Sequence, residues 1–192
     1  NNAPLTSKEI EKDCLCYLSY LDNPVKASRL FSGFEHEEQV KRIAEYYNQS
    51  LEKYAKMKFD FELYDKIKNK NSSNSIGLLA KSAFTKRDLG DFVSDHEAYH
   101  QLIYDLTSQQ VLSTNLVMQE NVNKIFVDGG FSKNAVYMNM LSLLFPKKEV
   151  YAASIAQASA VGAALAIHCE WNKTPLPNNI IKLERYSSII NS

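Results

Sequence analysis

Apolar residues recur along this chain with two periods, and the change between them divides it. Val40, Ile43, Ala44 and Tyr47 stand at i, i+3, i+4 and i+7, one face of an amphipathic helix. Tyr99, Leu102, Ile103 and Leu106 repeat that spacing, so residues 34–118 read as helical. Within them, the Lys/Asn/Ser tract from Lys66 to Ser75 offers only Ile67 as an apolar partner and is expected to be an exposed, mobile loop. Residues 1–33 read as β-rich: Leu15, Tyr17 and the run from Val25 to Phe31 flank Asp22-Asn23-Pro24, a strong turn signal. Residues 119–192 read as a β-α-β-α unit with an extended tail.

That last unit contains the most informative ten residues, Ile125 to Asn134. Ile125-Phe126-Val127 is a strand, Asp128-Gly129-Gly130 a sharp turn, and Ser132 a cap for a helix expected to start at Lys133. Glycines without a Cβ let another molecule press on the backbone. A helix N-terminus offers unpaired N–H groups and partial positive charge, which suit an anion such as phosphate. The element therefore reads as a nucleotide-holding turn, although the same junction also serves as a plain structural turn. Ala135 to Phe145 supplies three turns of apolar helix, ended by Pro146, with Lys147 and Lys148 favouring its C-terminal dipole. A second strand follows at Glu149 to Ala152, and Ser154 opens a helix of small residues from Ala156 to Ala166. Tight packing accounts for most of those alanines.

Composition narrows the function. At 192 residues the chain buries a real core. Its 22 acidic and 22 basic residues balance, which lends no support to nucleic acid or a membrane surface as a partner. No apolar run approaches the ~20 residues needed to span a bilayer. Three cysteines, an odd number, argue for free thiols and a cytoplasmic location.

Val127-Asp128-Gly129-Gly130 with Ser132 and Asn134, followed by the helix Ala158-Ser159-Ala160-Val161-Gly162-Ala163-Ala164, resembles the C-terminal domain of the FGGY carbohydrate kinases, in the actin-like ATPase and sugar kinase superfamily. The rhamnulokinase and fuculokinase branch is the most similar in flavour. Arg29-Leu30-Phe31, Gly33-Phe34-Glu35, Phe84 to Leu116 with Ala98-Tyr99-His100, Trp171-Asn172 and Tyr186 are similar to it more loosely. The resemblance implies an α/β, ribonuclease-H-like C-terminal domain with a helical insertion. It implies that Gly129 and Gly130 line the adenosine part of an ATP site, with Ser132 in the motif and Asn134 reaching the adenine or ribose. It also implies ATP and Mg²⁺ as cofactors, and phosphorylation of a ketose such as rhamnulose, fuculose or xylulose. Gln157 stands where the family often has an acidic residue and Val161 where it often has Leu, so Gln157 receives no role.

The family's Asp-led, Gly/Thr-rich phosphate loop has no counterpart here, and the one Gly-Asp pair, Gly90-Asp91, sits in a context that does not fit the family's catalytic base. No catalytic residue and no metal ligand is therefore assigned within residues 1–192. The expectation is one ATP-binding domain of a longer kinase, inactive alone, whose sugar contacts lie in an N-terminal domain outside this sequence. A homodimer is compatible with the sequence, as is a stand-alone nucleotide-binding or regulatory module.

One rival motif is His96-Glu97-Ala98-Tyr99-His100, the His-Glu-x-x-His pattern of zinc hydrolases, with Glu120 an imaginable third ligand. Ser94 with Glu97 also reads as a capping box, which explains Glu97 and puts His96 in the first helical turn. Cys14 and Cys16 alternate on one strand face and read as small buried apolar residues. Tyr46, Tyr47 and Tyr54 read as core and rim aromatics, the lysines from 53 to 70 as a solvated mixed face, and His168 as a helix-end cap.

Overall fold

The computed structural model describes residues 4–19, 21–71, 81–153, 158–176 and 180–187. A short helix, α1 (Ser7–Glu11), opens it, fixed by a reciprocal cap: Thr6 Oγ1 accepts from the Glu9 amide and the Glu9 carboxylate accepts from the Thr6 amide at 2.5 Å. Strands β1 (Leu15–Leu18) and β2 (Pro24–Ala27) form an antiparallel hairpin around the expected turn, where Asp22 adopts φ 57°. Lys26 donates to both oxygens of Glu9 at 2.7 and 2.9 Å and ties the hairpin to α1. The stretch expected to be β-rich thus also holds a helix. Cys14 is buried and Cys16 exposed, so the two thiols do not share a face as expected, because Cys14 precedes the strand.

Four helices follow: α2 (Ser32–Tyr46), α3 (Leu51–Ala55), α4 (Phe61–Asn71) and α5 (Asp95–Val117). Helix α2 buries Val40, Ile43 and Ala44 against α5, as the periodicity predicts. Helix α4 corrects the loop expected from Lys66, since 66–71 are its last turns; residues 72–75 of that tract lie outside the described residues. Tyr64, Ile67 and Asn71 share its buried face, and Asn71 is satisfied there by donating to Gln101 while accepting from Arg87. A polar residue with partners did the work that a search for apolar residues could not detect.

Helix α5 runs through the centre. From Ala98 to Thr107 it is buried on every side, packed by α2, α4 and the later helix α6 (Ala135–Leu144). Its polar residues there are bonded: Arg87 reaches Asp105 through Nε at 2.7 Å and Nη2 at 3.1 Å, and Gln101 donates to Asp105 at 2.9 Å. Burial pushes the Asp105 carboxyl up, partly offset by Arg87. Glu35 of α2 caps Ser82 in the same way, accepting from its amide at 2.9 and 3.0 Å and from its hydroxyl.

The remaining chain builds a three-stranded sheet in the order β3-β4-β5. Strand β3 (Lys124–Val127) runs parallel to β4 (Glu149–Ala153), with Val127 opposite Ala152, and α6 is the crossover between them. Strand β5 (Leu183–Tyr186) lies antiparallel to β4, where an extended tail was expected. Small-residue helix α7 (Ala158–Ala166) and the single turn α8 (His168–Trp171) precede it; Ser154 and Gln157 lie outside the described residues. His168 opens α8 rather than closing the helix before it. Val136, Met138, Met140 and Leu141 of α6 join Val150 of β4 and the centre of α5 in one core.

Candidate nucleotide site

Every residue singled out at the glycine turn sits between β3 and α6. Gly129 has φ 76° and ψ −151°, a conformation that an L side chain strains to adopt. Gly130 to Lys133 form one 3₁₀ turn, and the α-helix starts two residues later than expected, at Ala135. Its cap is Asn134, whose Oδ1 accepts from the Tyr137 amide at 3.1 Å, instead of Ser132. The reason is local: the Ser132 hydroxyl donates back to the Gly129 carbonyl at 2.8 Å and holds the turn closed.

Asn134 has a second role. Its Nδ2 donates to the Tyr99 hydroxyl at 2.8 Å, which anchors the turn to the centre of α5. Tyr99 is fully buried, and burial pushes its hydroxyl up to about 12, partly offset by that bond. A primary amide carries two N–H groups, so one remains for another acceptor.

The backbone around the turn is open. A Cβ placed on Gly129 or Gly130 would meet no atom within 4 Å. Two grooves adjoin Gly130. One, of about 270 Å³, is lined by Gly33, His36, Glu37, Gly130, Phe131 and Asn134. The other, of about 200 Å³, is lined by His36, Tyr54, Tyr99, Gly130, Lys133 and Asn134 with apolar neighbours. Each approaches the lower end of the usual range for small-molecule sites, about 300 Å³. Phe131 stacks on Tyr137 at 4.2 Å and presents an aromatic wall to the larger groove. A third cavity, of about 480 Å³, is lined by Ser132 and Lys133 of the turn with Ala152 and Lys182 at the sheet end.

Gly129, Gly130, Ser132 and Asn134 are therefore together, but only Gly130 and Asn134 line the two grooves. Sequence reasoning missed His36 and Phe131. His36 was within reach of it: it stands one turn ahead of Val40 on the apolar face of α2, a titratable residue where the period calls for an apolar one.

The His96–His100 pair does not present a metal site. Ser94 accepts from the Glu97 amide at 3.2 Å, but Glu97 bonds back to the Val93 amide, at 2.8 Å, and not to Ser94, so the expected capping box is only half formed. His100 is fully buried, with Nδ1–H donating to the His96 carbonyl at 2.9 Å and Nε2 accepting from the Asp60 amide at 3.1 Å. Both ring nitrogens are spent, and desolvation pushes the imidazole down to about 4. Among the described residues no group of three His, Cys, Asp or Glu side chains could hold a metal ion.

The resemblance to known proteins includes this turn. Residues 81–175 match the family "Carbohydrate kinase FGGY, C-terminal domain". No curated protein matches the chain. Among solved structures, a carbohydrate kinase from Novosphingobium aromaticivorans superposes with a TM-score of 0.59 at 16% identity, over 92% of this chain and 37% of that one. The chain thus spans little more than a third of that kinase, and the likeness carries the α/β, ribonuclease-H-like fold. Residues 81–175, which include the glycine turn and its helix, are thus similar to the C-terminal domain of the FGGY carbohydrate kinases.

Proposed function

We propose that this chain is the ATP-gripping part of a sugar kinase, with the adenosine lying on Gly129 and Gly130. The carrying observation is the open backbone of that turn beside a groove with one aromatic wall and one free amide N–H. Asn134 donates that second N–H to the adenine or ribose while its oxygen keeps the helix capped. Ser132 shapes the turn by donating its hydroxyl hydrogen to the Gly129 carbonyl, and its oxygen can still accept from the ligand.

The reaction is transfer of the γ-phosphoryl group of ATP to a hydroxyl of a ketose such as rhamnulose, fuculose or xylulose. Such transfer depends on alignment and charge neutralisation, and Mg²⁺ supplies the second of these on the nucleotide's phosphates. We assign the sugar contacts, the base and the phosphate loop to another domain of a longer kinase, in keeping with a chain that spans 37% of the solved carbohydrate kinase. This chain alone binds nucleotide without turning over sugar, and its free Cys14 and Cys16 accord with a cytoplasmic setting.

Calorimetric titration with a non-hydrolysable ATP analogue and Mg²⁺ tests the reading. The control variant is Gly130→Trp, whose backbone tolerates a side chain and whose indole fills the groove. Binding by the wild type that falls at least a hundredfold in the variant supports the site. Equal binding by both proteins places the nucleotide elsewhere, and none by either rejects the reading for this chain.

A further inference from the structure

The apolar face of α2 carries one residue the core does not explain. His36 is partly buried, meets Phe131 edge-on at 5.3 Å and Tyr99 at 6.1 Å, and lines both grooves at the glycine turn. It also comes from outside residues 81–175, so it reaches the turn from a part of the chain that the family match does not cover.

Its protonation follows from its partners. Asn134 Nδ2 can only donate, so the Tyr99 oxygen accepts at 2.8 Å. The hydroxyl hydrogen of the fully buried Tyr99 then needs an acceptor, because a buried O–H left unpaired is costly. His36 Nε2, 3.4 Å away, supplies it. The imidazole therefore keeps its lone pair at Nε2 and its proton at Nδ1. Desolvation lowers its pKa and keeps it neutral near pH 7. Among the described residues the Nδ1–H has no acceptor. A single oriented donor is thus left at a groove walled by an aromatic ring.

The groove favours one kind of occupant. Gly33 and Gly130 leave space where side chains would stand, and Phe131 offers a flat face beside it. The Glu37 carboxylate on the same rim repels a phosphate. A planar heterocycle with acceptor nitrogens satisfies all three features.

We propose that His36 reads the base of the nucleotide held at the glycine turn, its Nδ1–H donating to an acceptor nitrogen of a purine ring packed against Phe131. This inference rests on the nucleotide reading above and adds a specificity residue to it.

The test is titration of the full chain with Mg²⁺ and ATP, then with 1-deaza-, 3-deaza- and 7-deaza-ATP, each of which removes one acceptor nitrogen. One analogue is expected to bind the wild type about five- to tenfold more weakly than ATP, the worth of one neutral hydrogen bond. His36→Phe should weaken ATP by the same factor and bind that analogue as it binds ATP, a cycle that a merely structural role would not close. Melting curves check that the variant folds. The deaza series on the wild type needs no variant: if all three analogues bind as ATP does, the inference falls. It also falls if His36→Phe leaves ATP affinity unchanged, or lowers it equally for every analogue. Loss in Gly130→Trp without loss in His36→Phe keeps the nucleotide site and rejects His36 alone. Insensitivity to Gly130→Trp, or no binding by the wild type, overturns both readings.

Discussion

The helical region from α2 to α5 and the glycine turn ahead of α6 are both rich in buried polar groups, yet they use them differently. In the helical region the main groups close on one another: Arg87 on Asp105, Glu35 on Ser82, and His100 on Asp60 and His96. At the turn, bonds run inward from Asn134 to Tyr99 to His36 and stop at the groove, leaving one amide N–H and one imidazole N–H unspent. Polar burial alone does not mark a site. What marks one is an oriented donor left over beside open space.

Breaking the helical network should cost stability, whereas breaking the turn should cost binding. The largest expected effect is Asp105→Ala, which strands Arg87 against a buried face and should cost about 3–5 kcal/mol in urea unfolding. Nucleotide binding by the fraction that remains folded should be unchanged. Titration of His100 comes next. Its folded value, about 4, lies below the usual range near 6.5, so the unfolded chain binds the proton more readily. The stabilisation is complete above pH 6.5 and drains away as pH falls towards 4, on the order of 3 kcal/mol. Asp105, whose carboxyl burial pushes up, opposes that slope. Unfolding free energies between pH 7 and 4 should show the net loss, and His100→Gln should flatten it. The smallest stability effect should come from Asn134→Ala, about 2 kcal/mol for a lost helix cap and the lost hydrogen bond to Tyr99. Its effect on nucleotide affinity should exceed that stability cost, and Asn134→Asp, which keeps the cap and removes the donor, should separate the two.

How much of this was legible in the sequence depended on which kind of signal each element carries. Val40, Ile43 and Ala44, and Tyr99 to Leu106, announce their helices because apolar spacing is a direct image of burial. The double glycine announces the turn because only glycine takes the backbone of Gly129 without strain. Helix α4 was misread because Asn71 buries through its partners Gln101 and Arg87, which lie 30 and 16 residues away. Strand β5 was missed because three of its four residues are exposed and its pairing with β4 is non-local. The start of α6 shifted because Ser132 and Asn134 are both good caps, and only the closure of Ser132 onto Gly129 decides between them. His36 joins the site through contacts with Tyr99 and Phe131, 63 and 95 residues on, a relation that no local pattern expresses.

Helix α5 does more than fill the centre. Near one end it holds Tyr99, the anchor of the turn, and near the other Ser113, whose hydroxyl pairs with that of Ser28 just past the hairpin at 2.7 Å. Fourteen residues of continuous helix set those points about 21 Å apart. Buried at Gln109 and Ser113 as well as from Ala98 to Thr107, the rod fixes the spacing between the glycine turn and the hairpin.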